Sequence, residues 1–122
     1  MAQIFIVGTC DTKHTEIRYV QSIIRALGGE TCIVDVGVFN GEFPPFEGPV
    51  VRLREKRPDF FNGINDRGKA LAEMGALLEE FLVEHQNEMD GVIGLGGSCN
   101  TALVTRGMRR LPVGLPKVMV ST

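Results

Sequence analysis

The chain has no tryptophan, a single tyrosine and only three cysteines among its 122 residues, and each scarcity narrows the field. Cys10, Cys32 and Cys99 form no CxxC pair, which points to a reducing compartment. His14 and His85 have no partners at ligand spacing, so no structural metal site is expected. An excess of one charge is also missing: 13 basic and 15 acidic side chains leave a formal charge of −2, which argues against a dedicated nucleic-acid surface. No apolar run is long enough for a signal peptide or a membrane span. Together these absences predict a cytoplasmic protein without a membrane partner.

What is present is a single domain's worth of sequence, with 43% apolar residues, enough for one packed core over 1–122. Four short β-branched runs, "IFIVG" (4–8), "TCIVDVG" (31–37), "GVIGLG" (91–96) and "KVMVST" (117–122), read as strands buried on both faces of a parallel sheet. Between the first two, Ile17, Val20, Ile23, Ile24 and Leu27 recur at helical spacing, and Gly28-Gly29 supplies a stop. A second stripe, Leu71, Met74, Leu77, Leu78, Phe81 and Leu82, runs within 65–87, and a shorter helix is expected near 98–110. Alternation of this kind predicts an α/β fold, a Rossmann-like doubly wound parallel sheet with four strands in the order 2-1-3-4 and helices on both faces. Residues 38–64 are rich in proline and glycine and are expected to be irregular, a long loop of the sort that serves as a lid or binding surface. Within it "RLREKR" (52–57) reads as a solvated loop, with a phosphate-facing patch as the alternative, and Phe43, Phe46, Phe60 and Phe61 either cap the core or meet a partner. The last strand closes the chain with no helix after it, which suggests the N-terminal piece of a longer two-domain protein.

Ligands of open α/β sheets bind beyond the carboxyl ends of the strands, where strand order reverses. In the expected order the reversal lies between the first and third strands, whose exits carry "GTCDTKHTE" (8–16) and "GLGGSCNT" (94–101). Gly94, Gly96 and Gly97 let backbone approach an oxyanion, Ser98 and Thr101 add hydroxyls, and the following helix start favours negative charge. The pattern is neither a Walker loop nor GxGxxG. A plain tight turn with Ser98 as cap would explain it equally well without the switch-point argument. In the first exit, Asp11 or Thr12 can cap the helix, and Thr12 with Glu16 comes close to a capping-box spacing. Capping leaves Lys13 unexplained, because the dipole disfavours a cation in a first turn unless an anion is near. Lys13 therefore points to phosphate, with Asp11 able to hold a bridging Mg²⁺. Asp35, at the end of the second strand, is a candidate ribose ligand, or it caps a turn with Gly37. Cys10 and Cys99 sit near helix starts, which can lower a thiol pKa, although buried filler explains both.

The blocks "GTCDTKHTE", "IVDVGV", "DRGKALAEM", "DGVIGLGGSCNTAL" and "LPVGLPKVMVST", in that order, resemble the N-terminal domain of the ATP-binding family typified by the tomato mosaic virus resistance protein. The resemblance spans nearly the whole chain and implies ATP binding, self-association and a second α/β domain in chains about three times this length. The antiviral role of the plant member belongs to that member. The family's first motif maps onto Gly8, Thr9, Asp11, Thr12, Lys13 and Glu16, and its glycine motif onto Gly94, Gly96, Gly97, Ser98 and Thr101. His14 and Cys99-Asn100 depart from the usual small residues and would narrow the crevice.

The expectation is a domain that binds ATP between the 8–16 and 94–101 loops, with no independent catalysis. One alternative is part of a nucleotide- or phosphate-ester-dependent enzyme whose active site lies at the junction with a further domain. The other is an oligomerisation or protein-interaction module.

Overall fold

Short apolar β-branched runs alternate with runs of helical period, and the chain folds into layers accordingly. The structure, a computed structural model, describes residues 2–121, apart from the Ser98 side chain. In order they form β1 (Gln3–Gly8), α1 (Cys10–Ala26), β2 (Glu30–Asp35), β3 (Val50–Arg52), α2 (Pro58–Gly63), α3 (Arg67–Glu84), β4 (Gly91–Gly96), α4 (Ser98–Met108) and β5 (Lys117–Ser121). The sheet runs β3-β2-β1-β4-β5 with every pairing parallel. The four expected strands keep their expected neighbours, and β3 adds a fifth at the edge.

That fifth strand corrects the reading of 38–64 as irregular. Val50–Arg52 pairs with Ile33–Asp35, a 3-10 turn follows at Leu53–Lys56, and α2 begins on Pro58. Three residues are too few to show a period, and proline at the first helical position loses only an amide that would have no partner there anyway. The segment "RLREKR" is solvated only in its second half: Leu53 and Arg54 are buried, while 55–57 are exposed. Arg52, Arg54, Lys56 and Arg57 lie over the rings of Phe43, Phe61, Phe81 and Phe60, and Arg54 is only 6% exposed.

Pleating sends neighbouring strand residues to opposite faces. Ile6 and Ile33 meet Ile17 of α1 on one face, where Phe43 and Phe46 also pack. Phe5, Val7 and Val34 meet Met74, Leu78, Leu82 and Val104 of α3 and α4 on the other. The four phenylalanines therefore cap the core, two on each face. Ile6, Ile17, Leu78 and Leu82 are completely buried, each worth roughly 1.5 to 3 kcal/mol of burial. α1 stops as its sequence requires: Gly28 takes φ 90°, Gly29 N–H reaches Ile24 O and Gly28 N–H reaches Arg25 O, a Schellman cap open only to a residue without Cβ strain. α3 starts on Asp66, whose carboxylate accepts from Lys69 N–H at 3.1 Å. Among the described residues no helix is long and apolar enough to cross a membrane.

Candidate functional site

β1 and β4 are neighbours at the point where strand order reverses, so their exits share one crevice at the carboxyl edge of the sheet. The two loops touch there: Asn100 Nδ2, one turn into α4, donates to Thr9 Oγ1 at the start of α1. Asn100 is thus the side chain that bridges the crevice, and its partner, 91 positions away, could not be read from the sequence.

The start of α1 does not use the expected caps. α1 is preceded by Thr9 (φ −89°, ψ 99°), which makes no side-chain capping bond. Asp11 and Thr12 lie inside the helix, and Thr12 Oγ1 reaches only Thr9 O at 3.4 Å. α4 is preceded by Gly97, again without a side-chain capping bond. Two helix N-termini therefore converge on one crevice, where backbone amides and both dipoles favour an anion. At Lys13 the backbone leaves helical geometry (φ −118°, ψ 17°). Among the described residues its ammonium has no carboxylate within salt-bridge range, whereas five arginines of the chain have one.

The glycines divide by position. Gly8 closes β1 where Ile17 of α1 presses in, and Gly96 closes β4 beside Asn100. Gly94 lies within β4, where a Cβ would stand 2.6 Å from Met119 Sδ and 2.7 Å from Val104 Cγ1. Its role is to let α4 approach the sheet, not to line the crevice. Gly97 has open space where a side chain would be. Its carbonyl accepts from Thr101 N–H at 2.8 Å, and the Thr101 hydroxyl stands 2.9 Å from that carbonyl and 2.8 Å from the Ser121 hydroxyl. Ser98 opens α4, and its side chain lies outside the described residues.

Asp35 sits beneath the first loop and is 3% exposed. Its Oδ1 accepts from Cys10 N–H and Gly37 N–H, each at 3.0 Å, and its Oδ2 pairs with Arg52 Nε at 3.2 Å. The turn with Gly37 is the alternative left open by the sequence, and the three donors tie the ends of β1, β2 and β3 together. The sequence shows Arg52 only as the first residue of a charged run, because its partner lies 17 positions away in the chain. Its guanidinium also donates to Gly41 O at 3.3 Å. Gly41 is forced by contact, since a Cβ there would fall 2.1 Å from Asp11 Oδ2. The Asp11 carboxylate is thereby packed under 37–41, and its Oδ1 is sealed from solvent with no hydrogen-bond partner among the described residues. It has the charge of a cation ligand, but among the described residues it belongs to no group of three metal-ligating side chains.

Cys10 is fully buried. Burial, then the charge and hydrogen bond of Asp35, push its thiol well above the usual range, so the helix start does not activate it. Burial likewise raises Cys32, while Cys99 is exposed.

Fold and site together define a doubly wound α/β domain with a polar crevice at its switch point. Residues 2–122 match the family described as "Uncharacterised protein family (UPF0261) N-terminal domain", and the chain belongs to that family. It is 40% identical over 132 residues to a UPF0261 protein of Rhizobium meliloti, covering all of this chain and 31% of that one. It is 33% identical over 142 residues to the tomato ToMV resistance protein Tm-1(GCR237), covering 98% of this chain and 19% of that one. The chain thus spans about a third or less of the curated relatives it matches. In structure it resembles the C-terminal domain of a Pyrococcus furiosus hydrogenase, with a TM-score of 0.67 at 16% identity over 97% of this chain and 90% of that domain. At that identity the likeness concerns the fold alone.

Proposed function

We propose that this domain binds a nucleotide, ATP, with its phosphates in the crevice between the 8–16 and 94–101 loops. The observation that carries the reading is the meeting of two helix starts at one crevice, joined by the Asn100–Thr9 contact, with Lys13 in the first turn of α1. In this reading the first-turn amides other than that of Cys10, which Asp35 holds, and Lys13 Nζ meet phosphate oxygens, Gly97 allows their close approach, and Thr9, Thr101 and Asn100 frame them. Asp35 supports from behind by fixing the Cys10 amide and the exit of β2. Lys13 supplies the counter-charge, and no step is assigned to Mg²⁺.

The test is calorimetric titration with ATP of the wild-type chain and of Lys13→Ala. A charge-assisted contact predicts a loss of about 1 to 2 kcal/mol, roughly 5- to 30-fold in Kd. Unchanged affinity removes Lys13 from the site, and no binding by the wild type removes the reading.

A second reading, self-association, rests on an apolar groove of about 370 Å³ between α1 and β5, beside Ile23 and Val118, which are 42% and 52% exposed. Sedimentation with and without ATP separates the two, since a pure scaffold ignores nucleotide.

A further inference from the structure

We infer that residues 39–48 form a strap that opens as a unit while the sheet and helices stay folded, and that Asp11 is the residue set against its closure. Such a strap covers one wall of the crevice whatever the crevice binds.

It hangs between two fixed ends. Val38, at 8% exposure, lies in the core before it, and Pro49 after it accepts from Ile33 N–H at 3.0 Å. Between them the chain is neither helix nor strand, and among the described residues it makes no backbone–backbone hydrogen bond. A stretch held without a ladder can detach without breaking the sheet, as low-stability local openings do.

Side chains from α1 and β3 hold it instead. Arg18 donates to Pro44 O at 3.2 Å and to Pro45 O at 3.0 Å, and its guanidinium stands 4.5 Å from the centre of the Phe46 ring. Gln21 Nε2 donates to Glu47 O at 2.8 Å. Arg52 donates to Gly41 O at 3.3 Å while it pairs with Asp35. Phe43 and Phe46 add an apolar grip, but both are only half-buried.

One contact opposes the closed position. Gly41 rests so tightly on Asp11 that a Cβ there would fall 2.1 Å from Oδ2 and 2.6 Å from the aspartate Cβ. Beneath it Asp11 Oδ1 is sealed with no hydrogen-bond partner among the described residues. A carboxylate oxygen stripped of water and left unpaired costs free energy that hydration restores once the strap lifts. Lifting Gly41 also withdraws one contact from Arg52, whose partner Asp35 fixes the Cys10 amide at the start of α1. One movement therefore bares Asp11 and loosens the tie on the first loop, which makes the strap a gate on that side of the crevice.

The experiment is native-state proteolysis of the wild-type chain, Arg18→Ala and Asp11→Ala with a glutamate-specific protease in a urea series, the global unfolding of each being followed by circular dichroism. Glu42 and Glu47 lie in the strap. The first cuts are expected after them, at a rate that depends on urea much less steeply than global unfolding does. Arg18→Ala loses two charge-assisted bonds and a ring contact, and should speed these cuts roughly tenfold. Asp11→Ala should slow them roughly tenfold, because closure no longer strands a carboxylate. Where Asp11→Ala fails to fold, Gly41→Ala takes its place: its methyl meets Asp11, so it should hold the strap open and speed the cuts. Cuts that share the full urea dependence of global unfolding overturn the inference. So does an Asp11→Ala chain cut as fast as wild type, or an Arg18→Ala or Gly41→Ala chain cut no faster.

Discussion

Replacing Asp35 by alanine is the most informative single perturbation of the scaffold. The change removes the common acceptor of Cys10 N–H and Gly37 N–H, both at 3.0 Å, and the partner of Arg52 Nε at 3.2 Å. Cys10 and Gly37 are buried, so neither amide can recover a partner from solvent without opening the turn, at about 1 to 3 kcal/mol each. Arg52 is 23% exposed on its side chain, so it regains water and its loss falls well below the roughly 3 to 5 kcal/mol of a fully buried broken pair. The combined cost is about 3 to 5 kcal/mol, a large share of the roughly 5 to 15 kcal/mol that holds a domain folded. Asp35→Asn keeps a carbonyl at Oδ1 for the two amides and loses the charge toward Arg52, so it should cost only about 1 to 2 kcal/mol. Urea unfolding monitored by circular dichroism reads both, provided the m-value is unchanged. An alanine variant within about 1 kcal/mol of wild type would refute the idea that Asp35 ties the three strand ends together.

Two glycines of one sequence motif should behave in opposite ways. Gly94→Val drives side-chain atoms into Met119 and Val104 and should lose on the order of 1 to 3 kcal/mol in urea unfolding. A Cβ at Gly97 has no described atom within 4 Å, so Gly97→Val should fold normally yet lose ATP in calorimetry, and tight ATP binding in that variant removes the cradle. Cys10 gives a pH signature. Its thiol stays protonated in the fold while the unfolded chain ionises near the ordinary value of 9.0. Stability should therefore fall as pH rises above about 9, by up to about 1.4 kcal/mol per pH unit. Cys10→Ser should flatten that slope in unfolding curves taken under reducing conditions, and an unchanged slope would show that the thiol does not contribute.

By itself the sequence determined the layers and the neighbours of its long elements. Residues 4–8, 31–35 and 91–96 are β-branched runs flanked by turn residues, and Ile17 to Leu27 and Leu71 to Leu82 keep one helical stripe each. Local period and burial on both faces suffice to specify such segments, and the switch point between β1 and β4 follows from their order. Tertiary structure alone decided the rest. Val50–Arg52 is a strand only because β2 offers it an edge. Asp35 is a structural tie because Cys10, Gly37 and Arg52 come to it from three separate strand exits. Gly94 and Gly97, three residues apart, part company because one faces a helix and the other faces open space. Asn100 reaches Thr9 across 91 positions of chain. Hydrogen-bond partners and steric neighbours at such separations are set by how the layers pack, and no local pattern of residue types encodes them.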